Sequence, residues 1–405
     1  MNKITKKPIP EVNIGLIGHV DHGKTSLVEA LTGKWSSTHS EELKRGITIR
    51  LGYADTVFYH CDKDKLYSTM DKCVKCFGEC KPTRAVSFVD MPGHETLMAT
   101  VLSGAALIDG ALLIISADEK CPQPQTAEHL KVLDIIGIKN IVIVQNKIDL
   151  VNDETAMKNY NEIKEFVKGS VAEDAPIIPV SALHRINLDI LIESIEKNIP
   201  TPKRDLESSP KFYIARSFDI NKPGAEIDKL RGGVLGGSMT KGRIKVGDEI
   251  EVRPGAKIKD TYSYLRSKVV EIIHGNQKVE EAVPGGLVAL QTELDPAVTK
   301  GDALSGNLVS YPDKLPANTS VIKFKVNLFD YIIGVEGQQK VSLHLNDPLL
   351  ITQTIAKTVG IITSIKKEIY EMKIKIPVCV ETGDKIALSK QIAGRWHLIG
   401  WGEIL

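Results

Sequence analysis

Residues 18–25 read Gly-His-Val-Asp-His-Gly-Lys-Thr, which fits the pattern G-x-x-x-x-G-K-[ST]. Residues of these types at this spacing hold phosphate. Gly18 and Gly23 let the backbone close around phosphate oxygens, so that consecutive N–H groups form an anion nest at a helix N-terminus. Lys24 supplies a point charge for the β- and γ-phosphates, and the Thr25 hydroxyl can ligate Mg²⁺. Asp21 and His22 within this stretch, and Ser26 just after it, are expected to line the nucleotide. A glycine-rich turn without function is the bland alternative. The strand pattern before the loop and the helix pattern after it argue against that.

The loop does not select a base. Asn146-Lys147-Ile148-Asp149 follows the apolar run Ile141–Val144, at the carboxyl end of a strand, where α/β sheets bind ligands. Guanine presents two donors, N1–H and its 2-amino group, and the one carboxylate of Asp149 can accept both. Adenine offers no such pair. Lys147 can lie along the base plane. Backbone N–H groups of Ser181, Ala182 and Leu183, after the next strand, can reach the guanine oxygen.

Two further segments read as γ-phosphate sensors. Asp90-Met91-Pro92-Gly93-His94 ends the strand Val86–Val89. Its carboxylate can hold a Mg²⁺-bound water, Gly93 can give its N–H to the γ-phosphate, and His94 then stands near the attacking water. In Arg45-Gly46-Ile47-Thr48-Ile49, Thr48 is placed to complete the Mg²⁺ shell when GTP is present. Loss of the γ-phosphate would release that segment, the order–disorder switch of GTPases. Arg45 is the one candidate for an arginine finger, and nothing aims it at the phosphates. Intrinsic turnover is therefore expected at about 10⁻⁴–10⁻² s⁻¹, with a partner accelerating it.

Four of the six cysteines, Cys61, Cys73, Cys76 and Cys80, crowd into one short stretch with the spacing C-x₁₁-C-x₂-C-x₃-C. In a reducing compartment such a cluster favours metal over disulfides. Four thiolates suffice for one tetrahedral Zn²⁺ at roughly 2.3 Å, with no open position and hence a structural role. Free thiols in a knuckle without metal are the alternative. Cys121 and Cys379 read as isolated thiols.

These residues need elements to hold them. Short strands alternate with helices across residues 11–200: strands at Val12–Ile17, Val86–Val89, Ala111–Ser116, Ile141–Gln145 and Ile177–Val180, helices from Lys24 and at Gln125–Ile136, Glu154–Val167 and Leu188–Lys197. That alternation predicts a doubly wound, mostly parallel sheet covered on both faces. In Glu154–Val167 the spacing puts Met157, Tyr160, Ile163 and Val167 on one face. Gly52–Tyr59 is expected to pair antiparallel with Val86–Val89, the cysteines extending the tip of that hairpin. Pro200–Pro210 reads as a linker, and beyond it short strands separated by Gly, Pro, Asn and Asp predict β-barrels. A second break falls within Asn307–Thr319. The expected domains are 1–205, with the cysteine insert at 60–81, then a barrel at 206–318 and another at 319–405.

A length of 405 residues accommodates two to four domains. Net charge of +1 excludes a globally basic nucleic-acid binder but leaves room for a local basic face. No run approaches the roughly 18 apolar residues of a membrane span, and the N-terminus lacks a secretory h-region. A cytoplasmic protein without membrane partners is the expectation.

The motifs GHVDHGKT, RGIT, DMPGH, NKID and SAL, in this order, resemble those of translational GTPases of the elongation factor Tu type. Within them, RGITIRLGYAD, the cysteine insert, RSFDINKPG at Arg216–Gly224 and the segment Arg231–Gly255 resemble the gamma subunits of archaeal and eukaryotic translation initiation factor 2. The resemblance covers essentially the whole chain. It implies GTP and GDP as ligands, alpha and beta subunits as partners, and delivery of methionyl initiator tRNA to the small ribosomal subunit in the GTP state. It also implies that Val20 and Ile47 form an apolar gate beside His94, and that Asp21 and the Gly46 carbonyl line a second Mg²⁺ position. The competing readings are an elongation factor for standard or selenocysteine tRNA and the GTPase subunit of a sulfate-activating enzyme. The cysteine insert argues against the standard factor, and the selenocysteine type is expected to carry a further domain. The sulfate-activating subunits lack RSFDINKPG.

Overall fold

A computed structural model describes every residue except 1–7, 36–50, 94–97, 106, 223, 225, 227–228, 276, 333–339 and 393, and the side chains of 98, 99 and 103. Gly46, Ile47, Thr48 and His94 lie outside the described residues. The chain divides between Pro202 and Lys203 into two compact units.

The first unit is organised by β1 (Val12–Gly18), whose seven residues are all buried. A strand covered on both faces reads as a continuous apolar run, and VNIGLIG is nearly one. The other strands are β2 (Gly52–Cys61), β3 (Leu66–Ser68), β4 (Lys81–Asp90), β5 (Gly110–Ser116), β6 (Ile141–Asn146) and β7 (Ile177–Pro179). They order as β3-β2-β4-β1-β5-β6-β7. From β4 to β7 every pairing is parallel. β2 runs antiparallel to β4 and to β3, so the predicted hairpin and its cysteine-bearing tip are present.

Because β1, β4 and β6 are parallel, their carboxyl ends lie on one edge of the sheet. Gly18, Asp90 and Asn146 terminate those strands. Residues 56 to 128 apart in sequence thus converge by topology alone, at the edge where α/β sheets bind ligands. The helices are α1 (Lys24–Thr32), α2 (Met98–Ala105), α3 (Pro124–Ile136), α4 (Asp153–Val167) and α5 (Leu188–Asn198). Leu27 and Leu31 of α1 and Leu191 and Ile195 of α5 share one core with Leu16, Phe88, Ile114 and Val144.

In α4 the buried line is Asn159, Ile163 and Val167, while Met157 is exposed. The expected apolar face is displaced because Asn159 has partners inside. It donates to the carbonyls of Ser116 and Glu119 and accepts from Gln145 at 2.9 Å. A buried amide is accommodated at that interior position because its hydrogen bonds are satisfied.

The second unit holds two closed rings. In the first, Glu249–Ile258, Leu308–Ser310, Lys211–Phe218, Val234–Lys241, Val288–Thr292 and Thr261–His274 pair in that order, and the last pairs back to the first. The second ring runs Thr319–Leu328, Ile369–Val378, Ala356–Lys366, Pro348–Gln353, Lys385–Ile392 and Arg395–Ile404, which returns to Thr319–Leu328. Each ring encloses its own core, around Phe212 and Leu290 in one and Phe324 and Leu388 in the other. Within each ring, closure pairs every strand on both sides. Among the described residues no helix is long and apolar enough to cross a membrane.

Candidate nucleotide site and cysteine knuckle

The loop between β1 and α1 is held from three sides. Gly23, at φ 87, caps α1 in the left-handed region, and no side chain caps the helix there. The first N–H groups of α1 are thus left for a ligand. A Cβ on Gly23 would sit 2.3 Å from Asn146 Nδ2, so only glycine fits. Beneath the loop, Lys24 Nζ donates to the carbonyls of Gly18 at 3.0 Å and His19 at 2.5 Å. Burial pushes the Lys24 ammonium down to about 8, opposed in part by Asp90 and Asp21. Thr25 Oγ1 donates to Asp90 Oδ2 at 2.8 Å. Gly93 backs directly onto the loop: a Cβ there would meet Lys24 Nζ at 2.4 Å and Val20 N at 2.8 Å.

Two buried histidines brace the same loop. His129, from α3, accepts from the Gly18 N–H with Nδ1 at 3.1 Å. It is fully buried, and burial holds its pKa down to about 3, so it is a neutral acceptor. His22 turns inward, Nδ1 at 3.0 Å from the Ile114 carbonyl and Nε2 at 3.3 Å from Glu119. Burial lowers its pKa also.

Asn146 joins the loop to the base side. Its Nδ2 donates to the His22 carbonyl at 2.9 Å, and its Oδ1 accepts from the Ala182 N–H at 3.1 Å. Lys147 takes a left-handed φ of 62 and points its Nζ toward Asp118 at 3.9 Å. Asp149 follows in a single 3₁₀ turn and lies 3.8 Å from His184 Nε2. Ser181 is buried and accepts from the His184 N–H at 3.2 Å, while Leu183 is exposed. Val20, Asp21 and Ser26 are at least partly accessible on the loop.

The model of the elongation factor Tu GTP-binding domain matches residues 10–201, and that of the initiation factor 2 gamma C-terminal domain matches 320–404. Translation initiation factor 2 subunit gamma of Methanocaldococcus jannaschii is 53% identical over 399 residues, covering 97% of each chain. The chain belongs to the initiation factor 2 gamma family. The Pyrococcus horikoshii member is 52% identical, again with 97% of each chain covered. Among solved structures, a bacterial selenocysteine-specific elongation factor aligns with a TM-score of 0.75 at 25% identity, over 97% of this chain and 58% of that one. The selenocysteine factor SelB of Methanococcus maripaludis, in complex with the GTP analogue GPPNHP, aligns at 0.72 and 22% identity, over 98% of this chain and 79% of that one.

Membership makes the chain a translational GTPase, with GTP, GDP and Mg²⁺ as its ligands. The loop fits that set. A hydroxyl and a carboxylate converge beside an uncapped helix N-terminus, and hard oxygen donors suit Mg²⁺.

At the hairpin tip the structure brings together Cys61, Cys73 and Cys76 with Asp64, all four donor atoms lying within 4.8 Å of one another. Cys80, expected as the fourth ligand, is outside that set. It is buried beside Cys61 and Cys73 in a small apolar cluster. The set is soft enough for Zn²⁺, with three sulfurs and one oxygen. His129, Asp118 and Asp64 are the residues that motif reading missed. Only Asp64 left a sequence signal, the C-x-x-D of Cys61–Asp64 ahead of the C-x-x-C of Cys73–Cys76.

Proposed function

We propose that the chain carries methionyl initiator tRNA to the small ribosomal subunit in its GTP state, as the core of a trimer with alpha and beta subunits, and that GTP hydrolysis to GDP and phosphate releases the tRNA. Similarity to initiation factor 2 gamma subunits, 53% identity over 97% of the chain, supports this reading. The proposed residue roles rest on the sequence motifs and, for the described residues, are compatible with the geometry of the loop. Gly18–Ser26 cradle the phosphates through backbone N–H groups, with Lys24 neutralising charge. Thr25 and Thr48 ligate Mg²⁺, and Asp90 holds one of its waters. The Gly93 N–H senses the γ-phosphate. His94 orients the attacking water behind the gate of Val20 and Ile47. Asp21 and the Gly46 carbonyl serve a second Mg²⁺. Asp149 accepts from guanine, Lys147 lies along the base, and Ser181–Leu183 offer N–H groups to its oxygen. Asn146 ties the two halves together.

The test is filter binding of labelled initiator and elongator methionyl-tRNA, with GTP or GDP, with and without the partner subunits. Initiator tRNA is expected to bind preferentially and only with GTP. Equal affinity for the two tRNAs would defeat the initiation reading. The selenocysteine-type alternative, favoured by fold likeness, predicts selenocysteinyl-tRNA binding without partner subunits.

A further inference from the structure

We infer that the knuckle is a three-thiolate, one-carboxylate metal site whose fourth ligand is Asp64 and not Cys80. The two arms repeat one turn. Cys61-Asp62-Lys63-Asp64 is followed by Lys65 at φ 52, and Cys73-Val74-Lys75-Cys76 by Phe77 at φ 55. Neither following residue is glycine, so both arms hold a conformation that L-residues seldom take. The same turn presents the first and fourth side chain of each arm to the same point. Asp64 is to its arm what Cys76 is to the other.

The donors are already near the spacing a metal needs. Asp64 Oδ2 lies 3.1 Å from Cys73 Sγ and 3.7 Å from Cys61 Sγ, and Cys61 Sγ lies 3.6 Å from Cys76 Sγ. Bonds of about 2.3 Å in a tetrahedron give sulfur–sulfur edges of about 3.8 Å. The Lys75 N–H points at Cys73 Sγ at 3.4 Å, the kind of outer-shell donor that steadies a thiolate ligand. Cys80 is held differently. Its N–H donates to the Asp71 carbonyl at 2.8 Å, next to the Lys72–Glu79 bridge, where the chain enters β4. Its side chain packs with Cys61 and Cys73 as an apolar floor. A carboxylate in place of one thiolate makes the site harder, so its preference for Zn²⁺ over soft ions such as Cd²⁺ exceeds that of an all-thiolate knuckle.

The experiment uses the full chain, stripped of metal and reloaded with Co²⁺, followed by Zn²⁺ titration against a chromophoric chelator. The variants are Asp64→Asn, Asp64→Cys and Cys80→Ser, and GDP binding reports that each is folded. We expect one tetrahedral Co²⁺ per chain and an unchanged spectrum in Cys80→Ser, with Zn²⁺ affinity within about twofold. Asp64→Asn is expected to lose at least about 100-fold in affinity, more than an outer-shell change costs. Asp64→Cys restores stoichiometric binding with stronger sulfur-to-cobalt charge transfer. Loss of the Co²⁺ spectrum in Cys80→Ser, or its retention in Asp64→Asn, overturns the inference. A wild-type chain that binds GDP but neither metal also overturns it, and leaves the GTPase assignment standing.

Discussion

The nucleotide loop and the cysteine knuckle belong to one unit and are built on opposite plans. The loop is backbone held in place by buried side chains: His129 on Gly18, Asn146 on His22 and Ala182, Lys24 on Gly18 and His19. Behind it stands a core of buried residues from β1, β4, β5, β6, α1 and α5. The knuckle is the reverse, side-chain donors on a turn with little behind them. Its apolar cluster is three buried cysteines, with Tyr59, Leu66 and Cys76 packed against them. A loop braced from a core is formed before its ligand arrives. A turn whose small core is shared with its own ligands, Cys61 and Cys73, is expected to depend on the metal for its order.

Metal removal tests that contrast most strongly. Chelation should cut amide-exchange protection across residues 61–80 by about 10³-fold or more, while β1 amides hardly change. Equal loss in both regions would mean that the knuckle is part of the core. Next in size is Lys24→Ala, which removes a buried charge from the phosphates. GDP affinity should fall by about 10²–10³-fold in calorimetric titration, with metal content unaltered. Asn146→Ala and His129→Ala each strip one brace and leave a buried backbone or side-chain group unpaired, at about 1–3 kcal/mol. We expect roughly 10-fold weaker GDP binding from each, and unchanged binding in both would show that the loop does not need its braces.

The smallest effect is in pH. The Lys24 ammonium has a pKa of about 8 in the free protein, and a bound phosphate raises it. Affinity is therefore fully present below pH 8 and declines above it, by up to about tenfold per pH unit until the bound-state pKa is reached. Fluorescent-GDP titrations across that range check the sign. Affinity rising with pH would contradict the assigned contact.

The sequence disclosed the loop because its chemistry lies in glycine spacing and one lysine, both local. It disclosed the main strands and four of the helices for the same reason, but not the helix Met98–Ala105 or the short strand Leu66–Ser68. It did not disclose His129, a lone histidine on the buried side of α3 that becomes a brace only when β1 and α3 meet. Asn146 was visible as part of NKID, but its two-sided hydrogen bonding depends on β6 lying between the phosphate loop and the turn after β7. Met157 fitted the helical spacing and is exposed, because a buried amide network centred on Asn159 rotates the inner face of α4. Asp64 is hidden by a count of cysteines, because a carboxylate stands at the fourth position of its arm where the other arm has Cys76.

β4 connects the two plans. One end, Lys81, pairs with His60 next to the knuckle; the other, Asp90, pairs with Gly52 beside the Thr25 hydroxyl. Ten residues at about 3.3 Å each span about 30 Å. A strand that slips by one residue turns every side chain to the opposite face, and Asp90 would then point away from Thr25. The hairpin admits one irregularity, at Phe58 and Tyr59, where the Thr83 hydroxyl donates to the Phe58 carbonyl at 3.1 Å. A metal held at the tip of this hairpin would therefore pin its register from the far end, adding to the direct pairing of Asp90 with Leu16 of β1.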